Sequence, residues 1–316
     1  MKKGEFELID TIREMFPVPE GSLGIGDDCA VIPQKGGMDT LVSTDMLIEG
    51  SHFLLSDVSA EDLGWKSAAV NISDIAGMGG RPVATFLSFA IPRGTDDSFI
   101  DGFMKGYREI SSKYGIPLLG GDTVASDNTM CINVAILGEA PAGKARLRSM
   151  ADTGDTIYVS GPLGDSGAGL KVIFEGIERG ATENALVHRH YRPEPRVELG
   201  MKLSGIDGVH AMMDISDGVA SDLEHILAAS GVSAEIDVRK LPLSEDLKKA
   251  CGLHGWDAVR LALEGGEDYE LLITADPSLD LSPFGLTSIG RIKEKGAEPI
   301  NWIGTTSMDY KGYHQF

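Results

Sequence analysis

The sequence has few of the features that mark zinc-binding, secreted or membrane proteins. It contains only three cysteines, Cys29, Cys131 and Cys251, and they form no CxxC pair. A zinc site or a disulfide framework is therefore not indicated, and reduced thiols fit best. No run approaches the roughly 18 apolar residues that a membrane-spanning helix needs. The N-terminus has acidic residues where a signal peptide has its apolar stretch. We therefore expect a cytoplasmic protein that does not bind membranes.

Motifs of several common enzyme families are also missing. The P-loop pattern GxxxxGK[ST] does not occur, and the nearest fragment, Gly64 to Ser67, lacks the glycine spacing before it. The sequence contains neither the HRD and DFG motifs of protein kinases nor the HExxH motif of zinc proteases. These three classes of enzyme are thereby excluded.

What the chain has in excess is acidic charge. Its 316 residues include 28 Lys+Arg and 48 Asp+Glu, so the formal net charge is −20. A surface of this charge repels polyanions, which makes nucleic acid and anionic membranes poor partners. A small anionic substrate is still compatible with it, because bound Mg²⁺ reverses the local sign of the field.

The pattern of apolar residues predicts a mixed α/β (α+β) protein. Short apolar runs between turn residues predict strands at 30–33, 40–44, 83–91, 130–138, 156–160, 234–238, 269–274 and 287–292. Helical patterns cover 6–16, 60–79, 97–114, 161–176, 195–204 and 218–229, and SAED at 59–62 has the form of a capping box. The length favours two domains. We place them at 1–140 and 150–316, joined through residues 139–152.

Several aspartates lie beside Gly, Ser or Thr at predicted strand ends and turns. They are Asp27, Asp28, Asp45, Asp74, Asp122, Asp214 and Asp217. Each alone is commonly a turn former or a helix cap, whereas together they offer the short, hard oxygen ligands that Mg²⁺ prefers. Asp214 and Asp217, three residues apart at a predicted helix start, would share one face. Asp27 and Asp28 are adjacent, so one of this pair is expected to be structural.

Two further segments could meet phosphate groups. Lys144, Arg146 and Arg148 form either a solvated basic linker or a phosphate clamp. The turn GDSGAG at 164–169 leads into a predicted helix, whose first amides could bind a phosphate or only shape the turn.

Three other side chains also have two interpretations. His52 is either structural or a contact for a substrate phosphate or ring. Trp302 and Tyr310 could stack on an aromatic substrate or only dock the C-terminal tail.

Eight segments in order resemble the thiamine-monophosphate kinase family, which belongs to the superfamily of aminoimidazole ribonucleotide synthetase. They are GEFELI at 4–9, GIGDDCA at 24–30, STDMLIEGSHF at 43–53, VNISDIAGMG at 70–79, GGDT at 120–123, DISDG at 214–218, GGEDYEL at 265–271 and YKGY at 310–313. The match runs nearly from end to end. Each motif is short, but their common order is specific.

The resemblance implies ATP-dependent, direct in-line phosphorylation of thiamine monophosphate to thiamine diphosphate, with several Mg²⁺ ions. It also implies a two-domain PurM-like fold, in which the N-terminal sheet forms a barrel across a homodimer. No general base is expected, because the acceptor phosphate is already largely ionised. The alternatives are another ATP-dependent enzyme of the superfamily and a non-catalytic sensor that binds metal and nucleotide.

The resemblance also implies roles for individual residues. The metal ligands, or the residues that hold the metal's waters, would be Asp28, Ser43, Thr44, Asp45, Asp74, Asp122, Asp214 and Asp217. The nucleotide contacts would be Gly121, Asp122, Arg148 and Ser216. The contacts to thiamine monophosphate would be His52, Glu267 and Tyr310.

Overall fold

The first half of the chain forms a five-stranded sheet. The computed structural model describes residues 5–15, 18–306 and 309–312. The strands of this sheet are β1 Ala30–Pro33, β2 Met38–Ile48, β3 Arg81–Pro92, β4 Leu118–Ser126 and β5 Cys131–Pro141, in the order β1-β2-β5-β3-β4. Only the β3–β4 pair is parallel. The helices of this half are α1 Glu5–Met15, α2 Ala60–Gly77 and α3 Asp97–Lys113.

The second half forms a six-stranded sheet. Its strands are β6 Thr156–Val159, β7 Val209–Asp214, β8 Ser233–Asp237, β9 Leu271–Ala275, β10 Thr287–Lys293 and β11 Ile300–Ile303, in the order β11-β8-β10-β6-β9-β7. The helices are α4 Asp165–Phe174, α5 Ala181–Tyr191, α6 Val197–Ser204, α7 Val219–Ser230, α8 Glu245–His254 and α9 Ala258–Glu264. None of the described helices is both long and apolar enough to cross a membrane.

Helix α2 lies at the junction of the two halves. It contacts β2, β5 and α3 of the first half, and α5, α6, β7 and β9 of the second. Ser59 caps its start by accepting a hydrogen bond from the Asp62 amide at 3.1 Å, as the capping motif predicts. Most of the helix is buried, so the polar side chains on it need partners within the protein. These side chains contribute to the site described below.

The predicted mixed α/β class is confirmed, and so are the eight predicted strands. The main error concerns Gly120 to Thr123, which was placed at a strand end or turn but lies inside β4, paired with β3. Glycine-rich composition favours turns locally, and strand pairing overrides it here. The pattern also missed α5, α8, α9, β7 and β11. The predicted helix at 161–176 begins at Asp165, and residues 16 and 17 lie outside the described part of α1.

Candidate active site

Four aspartates from four different segments lie close together near the junction of the two halves. Asp28 precedes β1, Asp45 lies on β2, Asp74 on α2, and Asp214 ends β7. The Asp214 amide donates to Asp28 Oδ2 at 3.3 Å. Gly77 makes this approach possible, because a Cβ there would stand 2.3 Å from the same Asp28 oxygen. We call these four residues the acidic cluster.

Neighbouring side chains orient the carboxylates of the acidic cluster. Ser43 Oγ donates to Asp74 Oδ2, and Ser73 Oγ donates to Asp214 Oδ2. The amide of Asp45 donates to Asn71 Oδ1 at 3.1 Å. Ser73 and Asn71 were not among the predicted site residues, although both lie in the segment VNISDIAGMG that carries the resemblance.

The acidic cluster holds more negative charge than its surroundings neutralise. Burial raises the pKa of Asp74, and repulsion from Asp45, Asp214 and Asp28 raises it further. Burial, and after it the charge of Asp28, raises the pKa of Asp45 to about 6. The same two causes raise the pKa of Asp214. Carboxylates in such a site favour either protonation or a bound cation.

Arg148 lies against the acidic cluster. Its Nε donates to Asp28 Oδ1 at 3.1 Å, and its backbone amide donates to Asp27 Oδ1 at 3.1 Å. Burial raises the pKa of Asp27 to about 7, with the Asp28 charge adding to it. Arg146 instead donates through Nη2 to the Ser204 carbonyl at 2.6 Å. Of the two arginines, only Arg148 therefore contacts the acidic cluster.

The donor set suits a hard divalent cation. Carboxylate and hydroxyl oxygens are the ligands that Mg²⁺ prefers, and it usually keeps several waters beside them. Within residues 5–15, 18–306 and 309–312, no three His, Cys, Asp or Glu side chains lie close enough together to hold one ion by themselves.

A cavity of about 1080 Å³ opens beside the acidic cluster. Six residues singled out in the sequence line it, namely Asp45, His52, Asp74, Ser216, Asp217 and Glu267. Apolar side chains line it as well, among them Phe174, Leu261 and Trp256. The structure thus brings candidate metal, nucleotide and substrate residues to one space, large enough for a small ligand.

The DISDG segment differs from its predicted geometry. Asp214 and Asp217 do not share a helix face, because Asp214 ends β7 and α7 begins only at Val219. The loop is instead held by Asp222, whose Oδ2 accepts from the amides of Ser216 and Asp217 at 3.0 and 3.2 Å. Asp222 is buried, and sequence reasoning missed it. Its position in the first turn of α7 was the available signal.

His52 lies at the wall of the cavity with its tautomer fixed by the backbone. The amide of Ile48 donates to His52 Nδ1 at 3.0 Å. In the neutral ring the proton is therefore on Nε2. The side chain can offer that N–H to a ligand.

Three predicted metal or nucleotide residues neither bond the acidic cluster nor line the cavity in the described part of the chain. Thr44 Oγ1 donates to the Val134 carbonyl at 3.1 Å. Asp122 is exposed on β4, and its Oδ1 accepts from the adjacent Thr123 amide at 2.9 Å. Gly121 lies next to it in the strand. The roles of these three residues stay predictions.

Tyr310 docks the C-terminal tail against β11, as one of its two interpretations predicted. Its ring meets Trp302 edge-on with centroids 5.1 Å apart, and its hydroxyl lies 2.8 Å from Thr305 Oγ1. Neither Tyr310 nor Trp302 is among the described residues that line the cavity. The substrate contact of Tyr310 therefore rests on the resemblance alone. Position 313 of the YKGY segment lies outside the described residues.

The turn before α4 is structural. The amides of Gly164 and Ser166 donate to the two carboxylate oxygens of Asp268, at 2.6 and 3.2 Å. An acidic side chain of the protein thus occupies the helix N-terminus that a phosphate would otherwise use. Of the two interpretations of the GDSGAG turn, the structure supports the structural one.

Known proteins match both halves of the chain. The family model described as AIR synthase related protein, N-terminal domain, matches residues 26–140, and the corresponding C-terminal domain model matches residues 152–279. The thiamine-monophosphate kinase of Bacillus subtilis is 39% identical over 99% of this chain and 99% of its own length. The chain belongs to the thiamine-monophosphate kinase family.

Further members of this family give the same picture. The thiamine-monophosphate kinase of Escherichia coli K12 is 37% identical, over 100% of this chain and 99% of its own length. A solved structure of AaThiL complexed with AMPPCP and TMP superposes with a TM-score of 0.89 at 36% identity. That comparison covers 99% of this chain and 97% of AaThiL. The predicted family is therefore confirmed.

Proposed function

We propose that the protein is a thiamine-monophosphate kinase that transfers the γ-phosphoryl group of ATP directly to thiamine monophosphate, giving thiamine diphosphate and ADP. The observation that carries this proposal is the single cavity that joins Asp45, Asp74 and Asp217 to His52 and Glu267. A metal–phosphate site at one end and a contact site for a small organic molecule at the other are what this transfer needs. Family membership supports the same reaction.

Mg²⁺ fits the acidic cluster, and we propose that several ions bind there. Asp28, Asp45, Asp74 and Asp214 would hold them, together with Asp217 at the cavity wall and the predicted Ser43, Thr44 and Asp122. Bound Mg²⁺ supplies neutralisation of phosphate charge during transfer. The raised pKa of Asp74 and Asp214 supports this assignment, because burial and mutual repulsion make the empty cluster unfavourable.

The chain's own residues bind and orient the two substrates. Arg148 is held beside the acidic cluster by Asp28, where its guanidinium can contact nucleotide phosphates while its charge offsets part of the cluster. Ser216, held by Asp222 through its amide, would contact the nucleotide at the cavity wall. An oxygen of the acceptor phosphate forms the new P–O bond as the bond from the γ-phosphorus to ADP breaks. No side chain needs to remove a proton.

We further propose that the active protein is a homodimer whose N-terminal sheets join into a barrel. Asp45, Val134, Leu87 and Gly121 lie on one row across β2, β5, β3 and β4. Gly121 and Asp122 are thus three strand spacings, about 14 Å, from the acidic cluster of their own chain. The exposed edge strand β4, with Leu119 and Val124 on its surface, supports a contact between copies. A second chain could then bring its own Asp122 to the site.

The domain limits and the location of the protein are part of the same proposal. We place the metal- and nucleotide-binding domain at 1–140 and the domain that completes the cleft at 150–316. A cytoplasmic location is supported by the three cysteines, all of which are free thiols in the structure.

Turnover of purified protein tests the function. Incubation with ATP, Mg²⁺ and thiamine monophosphate should give thiamine diphosphate, followed by chromatography, and equimolar ADP. Asp45→Asn and Asp217→Asn should abolish the product while the protein stays folded. ADP formation that does not depend on thiamine monophosphate, or ATP binding without any product, would contradict the proposal and favour another superfamily reaction or a sensor.

A further inference from the structure

A fully buried lysine contacts Glu267, one of the residues that line the cavity. Lys66 on α2 has no exposed side-chain surface, and its Nζ is 2.9 Å from Glu267 Oε2 and 3.3 Å from His190 Nε2. A buried ammonium group is tolerated only where an opposite charge and acceptors surround it. In the sequence, Lys66 drew attention only because it lies in the fragment Gly64 to Ser67, which lacks the glycine spacing of a P-loop.

His190 completes this group as a neutral acceptor. An ammonium group can only donate, so His190 Nε2 accepts from Lys66 and the ring proton is on Nδ1. Nδ1 lies 3.0 Å from Ser166 Oγ, which takes that proton as a hydrogen bond. Burial and the Lys66 charge lower the pKa of His190 to about 3. Glu267 is therefore the group that balances the charge of Lys66.

Glu267 is held at its backbone and at one carboxylate oxygen. Its φ of 64° is left-handed, which is rare for a residue other than glycine, and its amide donates to the Ser216 carbonyl at 2.7 Å. Oε2 accepts a hydrogen bond from Lys66 Nζ, whereas among the described residues no donor bonds to Oε1. The side chain is 25% exposed and lines the cavity. One oxygen of a fixed carboxylate is thus left for a ligand.

We propose that Lys66 is a positioning residue for substrate recognition, which fixes Glu267 so that its open oxygen accepts a hydrogen bond from the amino group on the pyrimidine ring of thiamine monophosphate. This inference rests on the proposed function. Lys66 acts through Glu267 and does not line the cavity itself. The same contact joins α2, which carries Asp74 of the acidic cluster, to the segment that holds the organic part of the substrate.

A purely structural role for Lys66 is the competing explanation, since the ion pair also ties the two halves of the chain together. The two roles differ in what they do to each substrate. A positioning role affects the binding of thiamine monophosphate and needs Glu267. A structural role affects stability and both substrates, with or without Glu267.

The test is a double-mutant cycle on the KM values of both substrates. Lys66→Met should raise the KM for thiamine monophosphate about tenfold or more, because a hydrogen bond to a charged group is no longer oriented. The KM for ATP should stay within about twofold, as expected for a contact made to one substrate only. In the Glu267→Gln background, Lys66→Met should have little further effect on either constant.

Asp62→Asn is the matched control. Asp62 lies on the same helix and forms an ion pair with Arg192 at 3.3 Å, away from the residues that line the cavity. It should leave both KM values near those of the wild type. If Lys66→Met does not fold, Lys66→Arg replaces it, because a longer planar cation keeps the charge but displaces the Glu267 carboxylate. Lys66→Arg should show the same selective rise in KM.

The inference is overturned if either Lys66 variant raises both KM values equally, or if the effects of Lys66→Met and Glu267→Gln on thiamine monophosphate are additive. Neither of these results touches the proposed function, which fails only if the wild type forms no thiamine diphosphate.

Discussion

Replacing Asp45 by asparagine should make the metal-free protein more stable while abolishing its activity. Asp45 belongs to the acidic cluster, where burial and the charge of Asp28 raise its pKa from 3.8 to about 6. Asparagine has nearly the same shape and carries no charge. The variant therefore removes one unfavourable charge from the empty site, and with it one ligand for the cation.

The size and sign of the effect follow from the pKa. Because the folded-state pKa of Asp45 is raised, the folded protein binds more protons than the unfolded chain between pH 3.8 and about 6. Stability is therefore lost as pH rises through this window, by about 3 kcal/mol at most for a shift of this size. Asp45 is partly exposed to solvent, which screens its charge and lowers the expected gain to about 1–2 kcal/mol above pH 7.

Urea unfolding at pH 4 and pH 8, with and without millimolar Mg²⁺, measures this effect. Without metal the variant should match the wild type at pH 4 and exceed its stability at pH 8. Mg²⁺ should stabilise the wild type more than the variant. Asp39→Asn is the control, since Asp39 is a buried aspartate on the same strand whose Oδ2 accepts from the Gly143 amide at 2.9 Å, outside the acidic cluster. A variant that is less stable than the wild type at pH 8 without metal, or equal stabilisation of both by Mg²⁺, would refute the reasoning.

Three further predictions concern single positions. Gly121→Ala should destabilise the protein by about 1–3 kcal/mol, as measured by urea unfolding. The φ of Gly121 is 150°, and the new Cβ would stand 1.7 Å from the Leu87 carbonyl oxygen. Unchanged stability would contradict this. Arg148→Lys should raise the KM for ATP about tenfold in steady-state kinetics, since lysine cannot reproduce the two-nitrogen contact with Asp28; an unchanged KM would remove Arg148 from the nucleotide site. His190→Gln should make the free energy of unfolding less dependent on pH below 6.5. The pKa of His190 is lowered to about 3 in the folded protein, so the unfolded chain takes up a proton that the folded protein does not. The wild type should lose up to about 1.4 kcal/mol per pH unit as pH falls from 6.5 towards 3, and equal acid sensitivity of both proteins would count against it.

The sequence was most informative where a local pattern is sufficient. Strand β5 is an apolar run bounded by turn residues, and its alternate side chains Ile132, Val134 and Ile136 are buried. Ser59 was identified as a helix cap from its spacing to Asp62 alone, and the hydrogen bond is present. The order of the short motifs identified the family, because motif order can be compared between sequences without knowledge of the fold.

The sequence was least informative where a residue depends on a distant partner. Lys66 and Glu267 are 201 residues apart, and a lone lysine in a helical pattern ordinarily marks a solvated face. The role of Asp222 was missed for a different reason, since its carboxylate serves two amides of a loop whose path the pattern did not define. The glycines before Asp122 suggested a turn, and only pairing with β3 makes them part of a strand.

The acidic cluster and the contact between Lys66 and Glu267 have opposite electrostatic properties. The acidic cluster gathers four buried or half-buried carboxylates around one arginine, an arrangement that costs stability unless a cation binds. The contact between Lys66 and Glu267 is instead balanced, one charge against the other. Phosphate transfer needs cations and phosphates to be drawn to the first, whereas recognition of an organic ring needs a fixed acceptor at the second. Lowering the Mg²⁺ concentration should therefore weaken ATP binding much more than the binding of thiamine itself, which carries the pyrimidine ring but no phosphate.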